Sequence, residues 1–327
     1  MEVSFMWNKV LAMVVAAGTF VGCVGEPEQS APEPDAVESE ALMPSEATPP
    51  ETIVAERGGF IPEGVEYDTT NNRFLTGSLS EGSVLEIHDD GRVTTVVSDP
   101  DLVSSVGIEV DEPNDRLLVA NADWSVFEGA STGQAKLGVY NLTTGERIAM
   151  VDLAAAITDA PADAAYFAND VAVADDGTAY VTDTRMSTIY RVGPDYEVSV
   201  LHRFDEFGPN GIVHHPSGYL LVCGGPDLWK VPVDDPAGAS RVTLPEEIDG
   251  QDGMVWMSDG HLAIVSNSES RVVTLTSEDD WGTAQRVAVA PYETQATTGA
   301  VVGDHIYVVH PHFADQDPPS LERVIFR

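Results

Sequence analysis

The sequence predicts an all-β fold: a six-bladed β-propeller whose last blade is closed by a strand from the amino-terminal side of the domain. Three observations support this prediction. A short sequence motif, called the phrase below, recurs six times, and hairpin-forming segments follow each copy. In addition, one apolar strand precedes the first copy and belongs to none of the repeats. The chain has 327 residues, and all-β propellers routinely use this length as one domain.

The recurring phrase is a polar residue, a small residue and then an apolar strand. The small positions are separated by 43, 63, 41, 42 and 46 residues. Intervals of about 40 residues are typical of four-stranded propeller blades, and one interval carries an insertion. The small positions are Gly64, Gly107, Asp170, Gly211, Gly253 and Gly299.

Each phrase is followed by a turn rich in Asp, Asn and Gly and by further strands. The clearest hairpin signals are at residues 175–177 and 258–260, which read Asp-Asp-Gly and Ser-Asp-Gly. The sixth repeat has only three strands, whereas residues 52–55 form an apolar strand without a repeat. We therefore predict that residues 52–55 complete the last blade and remove its open edge.

The long interval carries its extra residues in two places, at 123–133 and at 154–168. Residues 153–158 read Leu-Ala-Ala-Ala-Ile-Thr before Pro161, which indicates the start of a short helix. Both insertions are expected to overhang the ring and to shape the mouth of a pocket, because long loops on rigid scaffolds commonly carry function.

The charge balance excludes several classes of partner. The chain has 54 Asp and Glu against 16 Lys and Arg, a formal net charge of −38. Nucleic acids and anionic lipid surfaces repel such a protein, because their recognition depends on basic side chains. Two cysteines are too few for a disulfide-stapled scaffold. We expect a monomer that binds a small-molecule substrate and no nucleic acid.

The amino terminus is typical of an export signal. Lys9 precedes an apolar run over residues 10–21, which has the length of a signal-peptide core and is too short to span a bilayer. Cys23 follows small and apolar residues, as in the bacterial lipobox, so we predict a lipoprotein signal peptide over residues 1–22 with Cys23 as the lipidated residue. An ordinary secretory signal with an incidental cysteine is the alternative.

The composition after Cys23 predicts the remaining domain organisation. Residues 23–50 are rich in Pro, Glu, Ser and Ala, a composition that cannot bury a core and is typical of a disordered tether. Residues 51–327 form the propeller. The expected location is the bacterial cell envelope, at the outer membrane or its periplasmic face, with the lipid anchor on Cys23 as the contact with the membrane.

The residues directly before the small positions are the candidate site. The innermost strands line the central channel of a propeller. The residues at their starts are therefore expected to lie in a circle, the ring, at one end of the channel, its mouth. Four of the six carry oxygen atoms suited to a hard cation such as calcium or magnesium. Turn and capping roles are the alternative for each residue taken singly. The six residues are Glu63, Val106, Asn169, Asn210, Asp252 and Thr298.

Four of these phrases resemble the senescence-marker-protein/gluconolactonase/LRE-like family of six-bladed propellers, whose relatives include paraoxonase-like lactonases and calcium-dependent phosphotriesterases. They are Pro62-Glu63-Gly64-Val65, Asn169-Asp170-Val171-Ala172-Val173, Asn210-Gly211-Ile212-Val213 and Asp252-Gly253-Met254. The resemblance implies one divalent cation, usually Ca²⁺, held by Glu63, Asn210 and Asp252. It implies that Asn169 touches the substrate or completes the metal shell, and that the reaction is hydrolysis of a lactone or related ester.

This reading gives a mechanistic hypothesis and leaves one alternative open. The cation would polarise a lactone carbonyl, water would attack, and Asp252 would accept the proton; a hydroxide on the cation is the other candidate nucleophile. Asp170 replaces the glycine of the other phrases and is expected to support the metal from outside its ligand shell. The alternative function is a non-catalytic, NHL-like propeller that binds a ligand or protein at the envelope, because propellers host both classes.

Three further residues receive structural interpretations. His214 and His215 follow the Asn210 phrase, and consecutive residues of a strand point to opposite faces, so they are not expected to form a pair at one site. Cys223 lies in an apolar strand and is expected to be a small buried residue without a disulfide partner.

Overall fold

The structure is a computed structural model that describes residues 48–313 and 317–326. Within these ranges the strands form six sheets arranged as the blades of a propeller. Five sheets have four antiparallel strands, and the sheet of blade three has a fifth, short strand that pairs in parallel. The predicted fold class is therefore confirmed. The predicted signal peptide, Cys23 and residues 24–47 of the predicted tether lie outside the described residues, and their assignments stay predictions.

The strands are numbered in chain order. Before the blades comes β1 (Thr52–Val54), and blade one contains β2 (Val65–Asp68), β3 (Arg73–Thr76), β4 (Ser83–Ile87) and β5 (Val93–Ser98). Blade two contains β6 (Ser104–Asp111), β7 (Arg116–Ala122), β9 (Lys136–Asn141) and β10 (Arg147–Asp152). The short β8 (Gly133–Gln134) lies between β7 and β9 in the chain but belongs to the sheet of blade three. Blade three contains β11 (Tyr166–Val173), β12 (Ala179–Asp183), β13 (Thr188–Val192) and β14 (Val198–Arg203).

Blades four to six follow the same plan. Blade four contains β15 (Ile212–His215), β16 (Tyr219–Gly224), β17 (Asp227–Pro232) and β18 (Ser240–Arg241). Blade five contains β19 (Gln251–Trp256), β20 (Leu262–Ser266), β21 (Arg271–Thr276) and β22 (Gln285–Pro291). Blade six contains β23 (Gly299–Val302), β24 (His305–His310) and β25 (Ser320–Arg323). The short 3-10 helices are Glu112–Asn114, Trp124–Glu128, Ala154–Ala156 and Pro236–Gly238.

The amino-terminal strand closes the ring as predicted. β1 pairs antiparallel with β25, with Ile53 opposite Leu321, and becomes the fourth strand of blade six. The Tyr307 hydroxyl donates a 2.8 Å hydrogen bond to the carbonyl of Pro49 and extends this attachment. Pairing both ends of the domain in one blade covers an edge that would otherwise expose unpaired backbone groups.

The hydrophobic core lies between neighbouring blades. One cluster joins blades two and three, another joins blades four and five, and a third joins blades six and one around Ile53, Phe74 and Tyr307. A blade therefore buries its faces only when both neighbours are present, which makes ring closure a condition of stability.

The two insertions lie in blade two and at its junction with blade three. In the first, Asp123 caps the helix Trp124–Glu128 by accepting a 3.0 Å hydrogen bond from the Ser125 backbone N–H, and β8 then pairs in parallel with β11. The second begins with the helix Ala154–Ala156, which confirms the predicted short helix. Among the described residues, no helix combines the length and apolar character that crossing a bilayer requires.

The small positions of the repeat are explained by the approach of the inner strands to one another. A Cβ added to Gly253 would lie 1.9 Å from Thr298 Oγ1, and one added to Gly64 would lie 2.7 Å from the carbonyl oxygen of Val106. The Gly211 N–H donates a 3.1 Å hydrogen bond to the carbonyl of Asp252 in the next blade. Glycine therefore recurs because neighbouring inner strands meet there with no room for a side chain.

The closing strand offers a direct test of the architecture. Ile53 is 1% exposed and packs between blades six and one, whereas its neighbour Val54 is 55% exposed on the same strand. Ile53→Ala should lower the free energy of unfolding by about 2–5 kcal/mol because it leaves a cavity. Val54→Ala, as the matched control, should change it by less than about 0.5 kcal/mol. Urea denaturation measures both, and equal effects would contradict the closure described here.

Candidate metal centre in the central channel

The inner strands enclose a cavity of about 210 Å³ on the propeller axis. Every blade contributes to its wall, and the lining residues run from the segments before the inner strands to the last residues of β11 and β19, Val173 and Trp256. None of the lining residues is a lysine or an arginine, whereas several are acidic. The polar lining residues are Glu63, Glu66, Glu109, Asn169, Asp170, Asn210, His214 and Thr298.

The structure brings most of the predicted ring to this cavity. Glu63, Asn169, Asn210 and Thr298 line it. Asp252 is buried beside it and accepts a 2.8 Å hydrogen bond at Oδ1 from Asn210 Nδ2. Val106 is buried in the core between blades two and three and contributes no polar atom.

Asp252 is held from two sides. Besides the bond from Asn210, its Oδ2 accepts a 2.9 Å hydrogen bond from Asn267 Nδ2, and Gln295 Nε2 donates in turn to Asn267 Oδ1. Each carboxylate oxygen keeps a lone pair beyond these bonds, and the amide oxygen of Asn210 is not consumed by its donation. Asp252 is thus oriented by neutral donors, with acceptor capacity left over.

Asn169 presents an unsatisfied acceptor. Its side chain is 6% exposed, and its Nδ2 donates a 2.9 Å hydrogen bond to Thr184 Oγ1. Among the described residues its buried Oδ1 has no hydrogen-bond partner. A buried acceptor without a partner carries a desolvation cost, which a ligand at that oxygen would relieve.

Five carboxyl groups share the channel, and their pKa values reflect it. Burial is the largest cause, and it raises the pKa of Glu66 to about 8 and the pKa values of Asp170 and Asp252 to about 7. The pKa values of Glu63 and Glu109 rise well above their usual range, first by burial and then by repulsion from neighbouring carboxylates. Hydrogen bonds from Asn267 and Asn210 partly oppose the rise at Asp252.

These atoms suit a hard divalent cation. Two carboxylates and two amide oxygens at the ring are the ligand types that calcium prefers. The described residues contain no group of three or more His, Cys, Asp or Glu side chains placed to hold a metal ion. The amide oxygens of Asn169 and Asn210 are therefore required to complete any such ligand set with Glu63 and Asp252.

Several residues at the site were not selected from the sequence. Glu66 and Glu109 follow Gly64 and Gly107 by two positions, so strand alternation, with its period of two, would have placed them on the channel face. Asn267 and Gln295 lie in loops after β20 and β22, and no local pattern marks them. Asp170, expected to support a metal, accepts backbone hydrogen bonds from Ile212 at 3.0 Å and Val171 at 2.9 Å and thereby ties blade three to blade four.

The remaining interpretations agree with the structure. The His214 ring stacks on Tyr180, whereas the His215 ring stacks on Tyr219, so the two histidines do face different neighbours. Cys223 is fully buried, and its Sγ lies 2.9 Å from the carbonyl oxygen of Asp252, to which it donates. The predicted buried cysteine is confirmed.

The channel carboxyls make stability depend on pH in the metal-free protein. A raised pKa means that the folded state keeps its proton to higher pH than the unfolded state does, so stability should fall as pH rises from about 5 to about 8. Glu66→Gln mimics the protonated form, so its free energy of unfolding should decrease less over this pH range. At about pH 8 the variant should be more stable than the wild type by more than about 1 kcal/mol.

Urea denaturation across this pH range, with a chelator present, makes the measurement. The control is Glu197→Gln, which changes an exposed carboxylate in a hairpin and should follow the wild-type curve. Parallel curves for Glu66→Gln and the wild type would show that Glu66 does not carry the raised pKa.

Comparison with known proteins supplies only structural relatives. No protein-family model matches the chain, and no curated protein matches its sequence. The Malassezia sympodialis allergen Mala s 1 matches with a TM-score of 0.72 at 20% identity, over 85% of this chain and 97% of the allergen. A luciferin-regenerating enzyme matches with a TM-score of 0.61 at 12% identity, over 84% of this chain and 94% of the enzyme. A Xanthomonas campestris gluconolactonase matches with a TM-score of 0.59 at 16% identity, over 84% of this chain and 89% of the gluconolactonase.

Identities this low establish a shared fold and nothing finer. The relatives are propellers, and they include gluconolactonase and luciferin-regenerating enzyme structures. The resemblance inferred from the inner-strand motifs is thus confirmed at the level of architecture: the chain has the six-bladed fold of gluconolactonase-like propellers.

Proposed function

We propose that the protein is a divalent-metal-dependent hydrolase that acts on a lactone or a related ester. Glu63, Asn169, Asn210 and Asp252 would hold the cation, most simply Ca²⁺. The observation that carries the proposal is the unpartnered, buried Oδ1 of Asn169 beside a channel of carboxyl groups that no Lys or Arg lines. A divalent cation there would satisfy the amide oxygen and neutralise two of the carboxylates at once.

The expected chemistry follows from the residues around the cation. When bound, the cation would polarise the carbonyl of the substrate as a Lewis acid. Asp252 would accept the proton of the attacking water, as a carboxylate held at the edge of the cavity. Asn210 and Asn267 would keep this carboxylate oriented, and Asn169 would contact the substrate or complete the ligand set.

The gluconolactonase relative supports a lactone as substrate, although it shares only the fold with this chain at 16% identity. A second candidate is a non-catalytic propeller that binds a ligand or a protein. One observation favours it: the relative with the TM-score of 0.72 is described as an allergen and not by an enzyme name. The chemistry of the channel decides our preference for the hydrolase.

The setting of the protein is also a proposal and rests on the sequence alone. The apolar run before Cys23 and the polar segment after it support lipidation of Cys23 and anchoring at the bacterial cell envelope. In this arrangement the propeller would act as a monomer on a small molecule, apart from its lipid contact with the membrane.

Hydrolysis of a panel of lactones and aryl esters, with and without chelator, tests the proposed function. Wild type should hydrolyse at least one substrate, lose this activity with chelator and regain it with added Ca²⁺. Asp252→Asn should reduce turnover by about 100-fold or more. The control Asp195→Asn changes an exposed hairpin residue and should keep wild-type rates. Unchanged turnover by a metal-retaining Asp252→Asn variant would exclude Asp252 as the base, and chelator-insensitive activity would exclude the metal.

Asn267 should be important for the cation although it does not contact it. Asn267→Ala removes the 2.9 Å hydrogen bond to Asp252 and should weaken Ca²⁺ binding by about 10- to 100-fold. Titration calorimetry measures the affinity. The matched control is Asn141→Ala, which removes a 2.6 Å hydrogen bond to Asp115 outside the channel and should leave Ca²⁺ affinity unchanged. Equal affinities for both variants would show that Asp252 does not depend on Asn267.

A further inference from the structure

Four aromatic side chains form a cluster on one face of the propeller. This face carries the polar residues that precede the inner strands, such as Glu63 and Asn210. We call Trp124, Phe127, Phe167 and Phe313 the mouth cluster. The Trp124 and Phe313 rings stack at a centroid distance of 6.1 Å and an interplanar angle of 7°. Phe127 packs edge-on against Phe167 at 4.8 Å and lies 5.1 Å from Trp124.

Local geometry ties this cluster to the starts of the inner strands. Phe167 is the second residue of β11, two positions before Asn169. The Trp124 backbone N–H donates a 3.2 Å hydrogen bond to the hydroxyl of Ser104, the first residue of β6. Inner strands begin at the mouth where the ring residues lie, so the cluster stands at that mouth and not at the opposite face.

The Trp124–Phe313 stack also fixes the side of the mouth. Trp124 belongs to blade two and Phe313 follows the second strand of blade six, and blade one lies between these blades in the ring. A contact between them must pass over the start of blade one, where Glu63 lies two residues before β2. The cluster therefore overhangs the Glu63 side of the channel mouth.

Three of these aromatic side chains are exposed and adjacent to one another. Trp124 is 38% exposed, Phe127 is 47% exposed and Phe313 is 39% exposed, in a chain with a formal net charge of −38. Contiguous exposed aromatic surface is typical of binding sites, because burying such rings against a ligand is strongly favourable. The Arg185 guanidinium lies 5.8 Å from the centre of the Phe127 ring.

We propose that the mouth cluster binds the apolar part of the substrate, so that the protein acts on neutral lactones or esters with a long acyl chain or an aryl group. The channel carboxyls disfavour anionic substrates. The exposed rings offer contact area to hydrocarbon, whereas the hydroxyl groups of a sugar lactone would find few partners on them. This inference rests on the proposed function, because it assigns a substrate class to the same site.

Paired substrates test the inference by kinetics. δ-Valerolactone and δ-dodecalactone share the reacting ring but differ in an alkyl chain. Trp124→Ala and Phe313→Ala should lower kcat/KM for δ-dodecalactone about tenfold or more, with little change for δ-valerolactone. Trp124→Phe keeps an aromatic ring and should retain most of the preference. The control is Ile148→Ala, which removes a similarly exposed apolar side chain from β10, in the outer strand of the same blade.

Binding of the neutral dye phenylnaphthylamine supplies a readout that needs no catalysis. Dye affinity should fall about tenfold in Trp124→Ala and Phe313→Ala and stay unchanged in Ile148→Ala. Circular dichroism identifies any variant that is misfolded, in which case Trp124→Leu and Phe313→Leu replace it.

The two readouts separate failure of the inference from failure of the proposed function. Chelator-sensitive hydrolysis that falls equally for both lactones in the mouth-cluster variants, or not at all, overturns the substrate assignment and leaves the hydrolase intact. A wild type that hydrolyses no lactone or ester, but whose dye binding depends on Trp124 and Phe313, overturns the hydrolase and retains the mouth cluster as an apolar binding site. Dye binding that is equal in all variants overturns the apolar site.

Discussion

The structure depends on the convergence of six inner strands on one axis. Their starts approach so closely that a Cβ at Gly253 would overlap Thr298, and the backbone of one blade donates to that of the next, as Gly211 does to Asp252. Each blade buries its faces against the neighbouring blades, so the hydrophobic core lies between blades. The convergence of the inner strands therefore also forms the core. The same crowding draws the side chains before each small position together at one mouth.

Convergence gives the channel its electrostatics. Carboxyl groups that would be ordinary on an exposed sheet are confined in a cavity of about 210 Å³, and burial and mutual repulsion raise their pKa values. A lysine or arginine would relieve this cost permanently, but none lines the cavity. The negative charge of the channel is therefore not compensated by a basic side chain, and the unpartnered amide oxygen of Asn169 lies in the same channel. A protein gains no stability from such an arrangement, which is why we associate it with binding.

Two separate parts of the chain supply chemistry and selectivity. The inner strands are rigid and carry the polar ring, whereas the mouth cluster comes from an insertion in blade two, the start of β11 and the loop that follows β24. A propeller can change the exposed residues of such loops without disturbing the convergence of its strands. Buried residues of the same segments, Val126 and Phe167, belong to the core between blades two and three. Relatives with the same fold and different names are expected from this separation.

The sequence alone determined the number of blades, the order of strands, the closing role of residues 52–55 and the ring of Glu63, Asn169, Asn210 and Asp252. It did so because these features follow from local rules: a repeat of about 40 residues, strand alternation and glycine where backbones meet. The alternation of side chains along a strand also predicts that Glu66 and Glu109 face the channel. Only the tertiary structure could decide that Asn267 and Gln295 orient Asp252, and that Trp124 stacks on Phe313 across an intervening blade. Those contacts join loops of different blades, and their positions are set by closure of the ring and not by neighbouring residues in the chain.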